Sequence, residues 1–251
     1  MISISTDNWE IEGIGCILLD KDGLLIDSNV YWGRIVERRV NAIIDRYNLN
    51  KSFFSGICLS MGYAIDKKNL IPEGPIALVG REEVIRIVNN YLLGLGVKSV
   101  ELDLSAIFTD EHSKFMKEIK DYIKMLPGVS DFLSSIKSLS VKTAIVTSDS
   151  IRNTEEIIMH FKIDKYIDII IGKESTAEAK ATGRPAIMAL RKLNAKEQDS
   201  VSIGDAPVDL LMARAGGLKA GIGVASGQVP YDTLKKYSEY VAASMKELRV
   251  N

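Results

Sequence analysis

The sequence predicts an α/β protein: a parallel sheet with helices on both faces, interrupted by an inserted helical cap. Three observations predict it. From residue 127 onward, short apolar runs alternate with one-faced helical stretches across short loops, the rhythm of strands joined by crossover helices. A lone apolar run far upstream, Cys16-Ile-Leu-Leu-Asp20, reads as a buried parallel strand that belongs to the same sheet. Between them, residues 30–126 are mostly helical in pattern, so they read as an insertion after the first strand. Such an insertion lies on the C-terminal rim, where open α/β sheets bind ligands. The expected division is therefore 1–29 with 127–251 as the sheet-bearing core, and 30–126 as the cap.

Each element has its own reason. Asp20-Lys-Asp22-Gly23 follows the first strand as a sharp turn. The stretch 30–47 places Trp32, Ile35, Val36, Val40, Ile43, Ile44 and Tyr47 on one helical face. Residues 49–80 are broken repeatedly by Gly56, Gly62, Pro72, Gly74, Pro75 and Gly80, and no regular element is read there. Helices are expected over 82–93, ending near Gly94 and Gly96, and over 115–124. After Pro127 come a helix over 131–139, a strand over 142–146, a helix over 151–161 and a strand over 167–171. A helix over 185–193 follows, with Pro185 in its first turn, then a strand over 201–203, a helix over 208–215 and a strand over 220–224.

Composition removes several function classes. The chain has 251 residues, with 32 Lys+Arg against 33 Asp+Glu, which fits neither a polyanionic disordered chain nor a basic nucleic-acid coat protein. No aromatic interleaving or zinc-finger spacing supports nucleic-acid binding. No run of 18 apolar residues exists to span a membrane, and 1–15 lacks the basic start and apolar stretch of a signal peptide. Two cysteines, Cys16 and Cys58, make no disulfide framework; Cys16 reads as a buried thiol, Cys58 stays open, and a reducing cytoplasm is the default. Arg34, Arg38 and Arg39 form the densest basic patch, read as a solvated helix face with an anion-facing patch as the alternative. His112 and His160 have no local partner and read as structural or surface residues.

The chemistry sits at three strand ends. The first carries Asp20 and Asp22, the second Thr147 in Ile-Val-Thr147-Ser148-Asp149, and the third Asp205 and Asp209 in Ile-Gly204-Asp205-Ala-Pro-Val-Asp209. A parallel sheet brings such ends to one rim. Any one of these residues could be a simple helix N-cap. All three ends together are better explained by a cluster of carboxylates around a hard cation, for which Mg²⁺ suits oxygen ligands. A carboxylate can attack phosphorus to form an acyl phosphate, and a second carboxyl group two residues on can serve as general acid and then base. Thr147 could donate its hydroxyl to a phosphoryl oxygen.

These motifs resemble the haloacid dehalogenase-like hydrolase superfamily, in its phosphatase branch with phosphoglycolate phosphatases and β-phosphoglucomutases. The resemblance rests on Leu-Leu-Asp20-Lys-Asp22-Gly23-Leu-Leu-Ile-Asp27-Ser28, Ala-Ile-Val-Thr147-Ser148, Gly183-Arg184-Pro185 and Ile-Gly204-Asp205-Ala-Pro-Val-Asp209. It covers about 14–29 and 126–250, and implies a Rossmann-like core. It further implies Asp20 as nucleophile, Asp22 as general acid/base, and Thr147, with Ser148 beside it, at the transferring phosphoryl group. It implies Mg²⁺ held by Asp20, the carbonyl of Asp22 and Asp205, with Asp209 supporting. The presence of Asp22 argues against dehalogenation. The third motif departs from the family: Arg184 stands where a lysine is usual before proline. Arg184 is the first candidate for that cationic role, with Lys180 and Lys173 as alternatives.

The expected function is a Mg²⁺-dependent phosphomonoester hydrolase acting on a small phosphorylated metabolite. The alternatives are a phosphomutase and a non-catalytic binding protein on the same fold. The cap is expected to close over the substrate about hinges near 27–30 and 125–128, with Arg34, Arg38, Arg39 and Arg81 as candidate contacts to an anionic leaving group. No nucleic-acid or membrane partner is expected, and monomer and homodimer both stay open.

Overall fold

Two strands open the chain, in a stretch for which the sequence predicts no element: β1, Ile2–Ser5, and β2, Glu10–Ile14. Ile2 and Ile4 alternate with serines and are buried, the period of a half-covered strand, but the run is only four residues long. The third strand, β3, Cys16–Leu19, is buried at every position, as expected of a strand covered on both faces. The computed structural model describes residues 1–71, 74–98, 100–227 and 229–251; Pro72, one of the pattern breaks, lies outside them.

The chain then runs through a helical stretch. It comprises α1 (Ser28–Tyr47), α2 (Phe54–Ser60), a two-stranded hairpin of β4 (Tyr63–Ala64) and β5 (Asn69–Leu70), and α3 (Pro75–Leu78). Next come α4 (Arg81–Gly94) and α5 (Glu101–Glu118). The helix expected over 115–124 is corrected: those residues are the last turn of α5 followed by a 3₁₀ turn, Ile119–Asp121. Helix α5 begins much earlier because Glu101 and Asp103 favour its N-terminus, and Leu104, Phe108 and Phe115 share its buried face.

The remaining elements are α6 (Val129–Ser138), β6 (Lys142–Val146), α7 (Ile151–His160), β7 (Ile169–Ile171), α8 (Arg184–Leu193) and β8 (Ser200–Gly204). They continue with α9 (Pro207–Ala215), β9 (Ala220–Val224), α10 (Tyr231–Leu234), β10 (Val241–Ala242) and β11 (Arg249–Val250). Six strands form the main sheet in the order β10-β9-β8-β3-β6-β7, and every pairing is parallel. A smaller antiparallel sheet has the order β11-β1-β2.

Contacts divide the chain into two compact units, Met1–Asp27 with Met125–Asn251, and Ser28–Lys124. In the first, alternation along β3 serves two cores. Ile17 and Leu19 pack with Phe132 and Leu133 of α6, while Cys16 and Leu18 pack with Ala186 and Leu190 of α8 and Met212 of α9. Each such aliphatic side chain, fully buried, stabilises the fold by about 1.5–3 kcal/mol. The second unit has its own core, in which Val36, Val40 and Ile43 of α1 meet Ile57 of α2, Val88 and Leu92 of α4, and Leu104 and Phe108 of α5.

The register sets where the functional side chains emerge. Leu19 of β3 lies opposite Ile145 of β6 on one side and Ile203 of β8 on the other. Asp20, Thr147 and Asp205 each stand at or just past the end of one of these three adjacent strands, and therefore on one rim.

Candidate active site

Asp20 leaves β3 with its backbone N–H donating to Ile203 O at 2.9 Å, so the first acid is still held by the sheet. Its side chain meets a cation. Lys180 Nζ lies 2.5 Å from Asp20 Oδ1 and 2.8 Å from Asp209 Oδ1, and all three residues are buried. Burial opposes the lysine's charge, but Asp20 and Asp209 together outweigh it and raise its pKa. Asp209 is pushed up to about 6 by burial, with Lys180 pulling the other way. The high lysine pKa and the 2.8 Å contact both describe a charged ion pair.

Asp209 sits in the first turn of α9, and its second oxygen accepts the Ala206 N–H at 3.3 Å. It is therefore an N-terminal cap as well as a partner of Lys180; the two readings of an acid in this place coexist. Asp205 lies between two glycines. A Cβ on Gly23 or on Gly227 would collide with its carboxylate, and Gly23 has φ +83°. Ser226 Oγ donates to Gly23 O at 2.8 Å, which ties the loop after β9 to the turn after β3. One oxygen each from Asp20, Asp205 and Asp209 can be chosen so that all three lie within 4.8 Å of one another. Oxygen donors at that spacing, in a cradle that leaves no room for a Cβ, fit a divalent cation such as Mg²⁺, with Asp20 and Asp205 facing it and Asp209, already met by Lys180 and the Ala206 N–H, behind them.

The cation beside the acids is Lys180, and the expectation for Arg184 is corrected. Lys180–Thr182 forms a 3₁₀ turn, and Gly183 follows in the left-handed region at φ +75°. A Cβ there would strike the backbone of Ala215 and Gly216. This tight reversal sends Lys180 inward and puts Arg184 in the first turn of α8, where it is exposed and has no polar side-chain partner among the described residues. Lys173 is also exposed, and its backbone N–H donates to Asp149 O at 2.9 Å.

Thr147 is buried at the end of β6, and its Oγ1 accepts the Asp149 N–H at 3.1 Å. Ser148 next to it is exposed. Asp22 is half-buried; withdrawal from water raises its pKa, and Lys21 pulls it back. Lys21 is the residue that sequence reasoning passed over. Its side chain is wholly buried, with Nζ 2.9 Å from Asp22 and 3.1 Å from Asp149 Oδ2. Burial acts to raise Asp149, but Lys21 and the Ser150 N–H prevail and hold it below the usual carboxylate range. The signal was available: a lysine two residues past a fully buried strand, after buried Asp20, is costly unless paired.

In the helical unit the basic patch divides three ways. Arg38 is paired with Glu111 at 3.2 Å and Glu118 at 2.7 Å, and Arg34 with Glu37 at 3.0 Å. Arg39 is buried with its guanidinium 4.2 Å over the Phe108 ring; burial, then repulsion from Arg81, pushes it down to about 10. Arg81 donates to Ser105 O and Thr109 Oγ1. Cys16 and Cys58 are buried in the two units' apolar cores, and burial raises their thiols to about 11 and about 12. Among the described residues no helix is long and apolar enough to cross a membrane.

Comparison with known proteins gives a consistent set. The family model for haloacid dehalogenase-like hydrolases matches residues 14–217. A Caldanaerobacter subterraneus subsp. tengcongensis protein that carries the pyrophosphatase name PpaX is 28% identical over 224 residues, 89% of this chain and 87% of that one. A phosphoglycolate phosphatase of Colwellia psychrerythraea is 23% identical over 225 residues, 88% of each chain. Among solved structures, a β-phosphoglucomutase from Clostridium difficile superposes with a TM-score of 0.61 at 19% identity, covering 94% of this chain and 93% of that one. At that identity it speaks for the fold alone.

Proposed function

We infer the activity from a premise that the match over residues 14–217 supplies: this chain belongs to the haloacid dehalogenase-like hydrolase family. It is an enzyme, a phosphatase acting on phosphorylated substrates. The finer reading is a Mg²⁺-dependent phosphomonoester hydrolase for a small metabolite that works through a phosphoaspartate on Asp20. The observation that carries it is the buried bridge from Lys180 to Asp20 and Asp209, at 2.5 and 2.8 Å, beside Asp205.

An Asp20 oxygen attacks phosphorus, and the bond from phosphorus to the leaving oxygen breaks as Asp22, in its acid form, gives that oxygen a proton. Asp22, now a carboxylate, takes a proton from the water whose oxygen attacks the phosphoaspartate, and phosphate departs with Asp20 restored. Thr147 donates its hydroxyl to a phosphoryl oxygen, and Lys180 holds Asp20 in place while its charge offsets that of the phosphoryl group. Asp20 and Asp205, with the carbonyl of Asp22, would hold the metal; Asp209 has both oxygens committed, to Lys180 and to the Ala206 N–H, and acts as their support. When bound, Mg²⁺ supplies charge that offsets the repulsion between nucleophile and phosphoryl oxygens. The helical insertion after β3 is proposed to act as the cap that selects the substrate.

The test is phosphate release from a panel of phosphorylated metabolites, inorganic pyrophosphate and an aryl phosphate, with Mg²⁺ and with chelator. Release from at least one monoester is expected, with loss on chelation and a fall of about a thousandfold or more in Asp20→Asn. Silence across the whole panel would overturn the reading.

A further inference from the structure

The turn that carries the two proposed catalytic acids contains a buried cation between them in sequence. Lys21 Nζ lies 2.9 Å from Oδ1 and 2.9 Å from Oδ2 of Asp22, so it straddles both oxygens. On its far side it meets Asp149 Oδ2 at 3.1 Å. Asp149 is itself fixed: its Oδ1 accepts the Ser150 N–H at 2.7 Å and the Asn153 side-chain amide at 3.2 Å. Ser150 is the N-cap of α7, its side chain accepting the Asn153 N–H at 3.1 Å. A continuous chain of contacts therefore runs from the first turn of α7 through Asp149 and Lys21 to the Asp22 carboxylate.

The placement is purposeful in energetic terms. A lysine with no solvent exposure persists only where carboxylates surround it. Asp22, by contrast, keeps 22% of its side chain exposed, and on its own would sample several rotamers at the mouth of the turn. Transfer of a proton demands a donor within about 2.6–3.2 Å of the leaving oxygen. Lys21 removes the rotational freedom that would otherwise spoil that geometry, and Asp149 anchors Lys21 to a rigid helix end. Lys180 plays no part in this contact; its two carboxylates are Asp20 and Asp209.

We propose that Lys21, braced by Asp149, is a positioning residue that aims Asp22 at the leaving-group oxygen. This rests on the reading of Asp22 as general acid. It makes a demand that a general structural role does not: the help from Lys21 should matter in proportion to how badly the leaving group needs a proton. A nitrophenolate leaves without one; an alkoxide does not.

The experiment compares kcat/KM, which reports phosphoryl transfer to Asp20 and not the later hydrolysis common to both esters, on p-nitrophenyl phosphate and on a simple alkyl phosphate for the wild type, Lys21→Met, Asp149→Asn, Asp22→Asn and the double variant Lys21→Met/Asp22→Asn. Lys21→Met should lose about ten- to a hundredfold on the alkyl ester and less than about threefold on the aryl ester. Asp149→Asn, which keeps the shape and lets Lys21 stay with Asp22, should show the same selectivity at smaller amplitude. The double variant should be no slower on the alkyl ester than Asp22→Asn alone, because Lys21 acts through Asp22. Equal losses on the two esters, multiplicative losses in the double variant, or no loss at all would each overturn the proposal while leaving the phosphatase reading intact. Absence of turnover by the wild-type chain on both esters would overturn the two together.

Discussion

Lys180 and Arg184 are four residues apart and have opposite fates, and the difference decides which of them can serve Asp20. Lys180→Ala strips the buried cation from between Asp20 and Asp209, and removing one partner of a buried pair costs about 3–5 kcal/mol. Turnover should fall by about a hundredfold or more in Lys180→Ala and change less than about twofold in Arg184→Ala; the reverse ranking in a kinetic comparison would refute the assignment. At this scale the sequence made the acids legible and the cations obscure. Asp20, Thr147, Asp205 and Asp209 follow strand ends, and strands announce themselves by apolar runs. Lys180 belongs to an irregular loop, where only the three-dimensional turn decides which side chain points inward. Arg184 attracted attention because it precedes Pro185, yet that same proline begins α8 and fixes Arg184 on its exposed first turn. Lys21 is obscured differently, by standing between two acids in a turn, where a lysine is ordinarily solvated.

Elements carry the next set of consequences. The reversal at Gly183 is demanded by both a left-handed backbone, φ +75°, and the close approach of Ala215 and Gly216. Gly217 has a similar φ, +69°, but nothing lies within 4 Å of where its Cβ would be. Gly217→Ala should therefore report backbone strain alone, about 1–2 kcal/mol. Gly183→Ala should cost more, lower Tm by roughly 4 °C or more, and reduce turnover as well, because Lys180 hangs from that turn. Equal Tm losses in the two variants would mean that the collision is relieved at no cost. The strands and helices between 127 and 224 are legible to within one or two residues because each apolar run is bounded by Gly, Pro or a cap. Other segments are not: α2, the β4–β5 hairpin and α3 lie among repeated glycines and prolines, and α10, β10 and β11 are only two to four residues long. Strands β1 and β2 are short and mostly polar, and their stability comes from pairing with each other and with β11 at the far end of the chain, which no local pattern encodes. Helix α5 is legible only near its C-terminal end because its fully buried apolar residues are widely spaced, Leu104, Phe108 and Phe115, and its exposed face carries much of the local sequence.

The whole molecule is a chain whose second compact unit interrupts the first, so that unit 1 is assembled from two distant pieces, Met1–Asp27 and Met125–Asn251. The small sheet adds a further long-range closure. β1 pairs with β11, and at its margin Ser3 N–H donates to Asn251 O at 2.8 Å while Asn251 N–H donates to Ser3 O at 3.1 Å. Ser3 and Asn251 are thus neighbours in space. A short flexible linker from residue 251 to residue 1 should close the chain with little entropy cost. New ends can then be opened between Leu139 and Ser140, both exposed at the N-terminal end of β6 and so on the side of the sheet away from the acids. Such a circularly permuted chain should fold and keep turnover within about threefold of the parent, which a phosphate-release assay would read directly. Its start would then be β6 and Thr147, and Asp20, the proposed nucleophile, would follow Asp205 and Asp209: the order in which the rim is written along the polypeptide can change, and only its closure in space is a matter of chemistry.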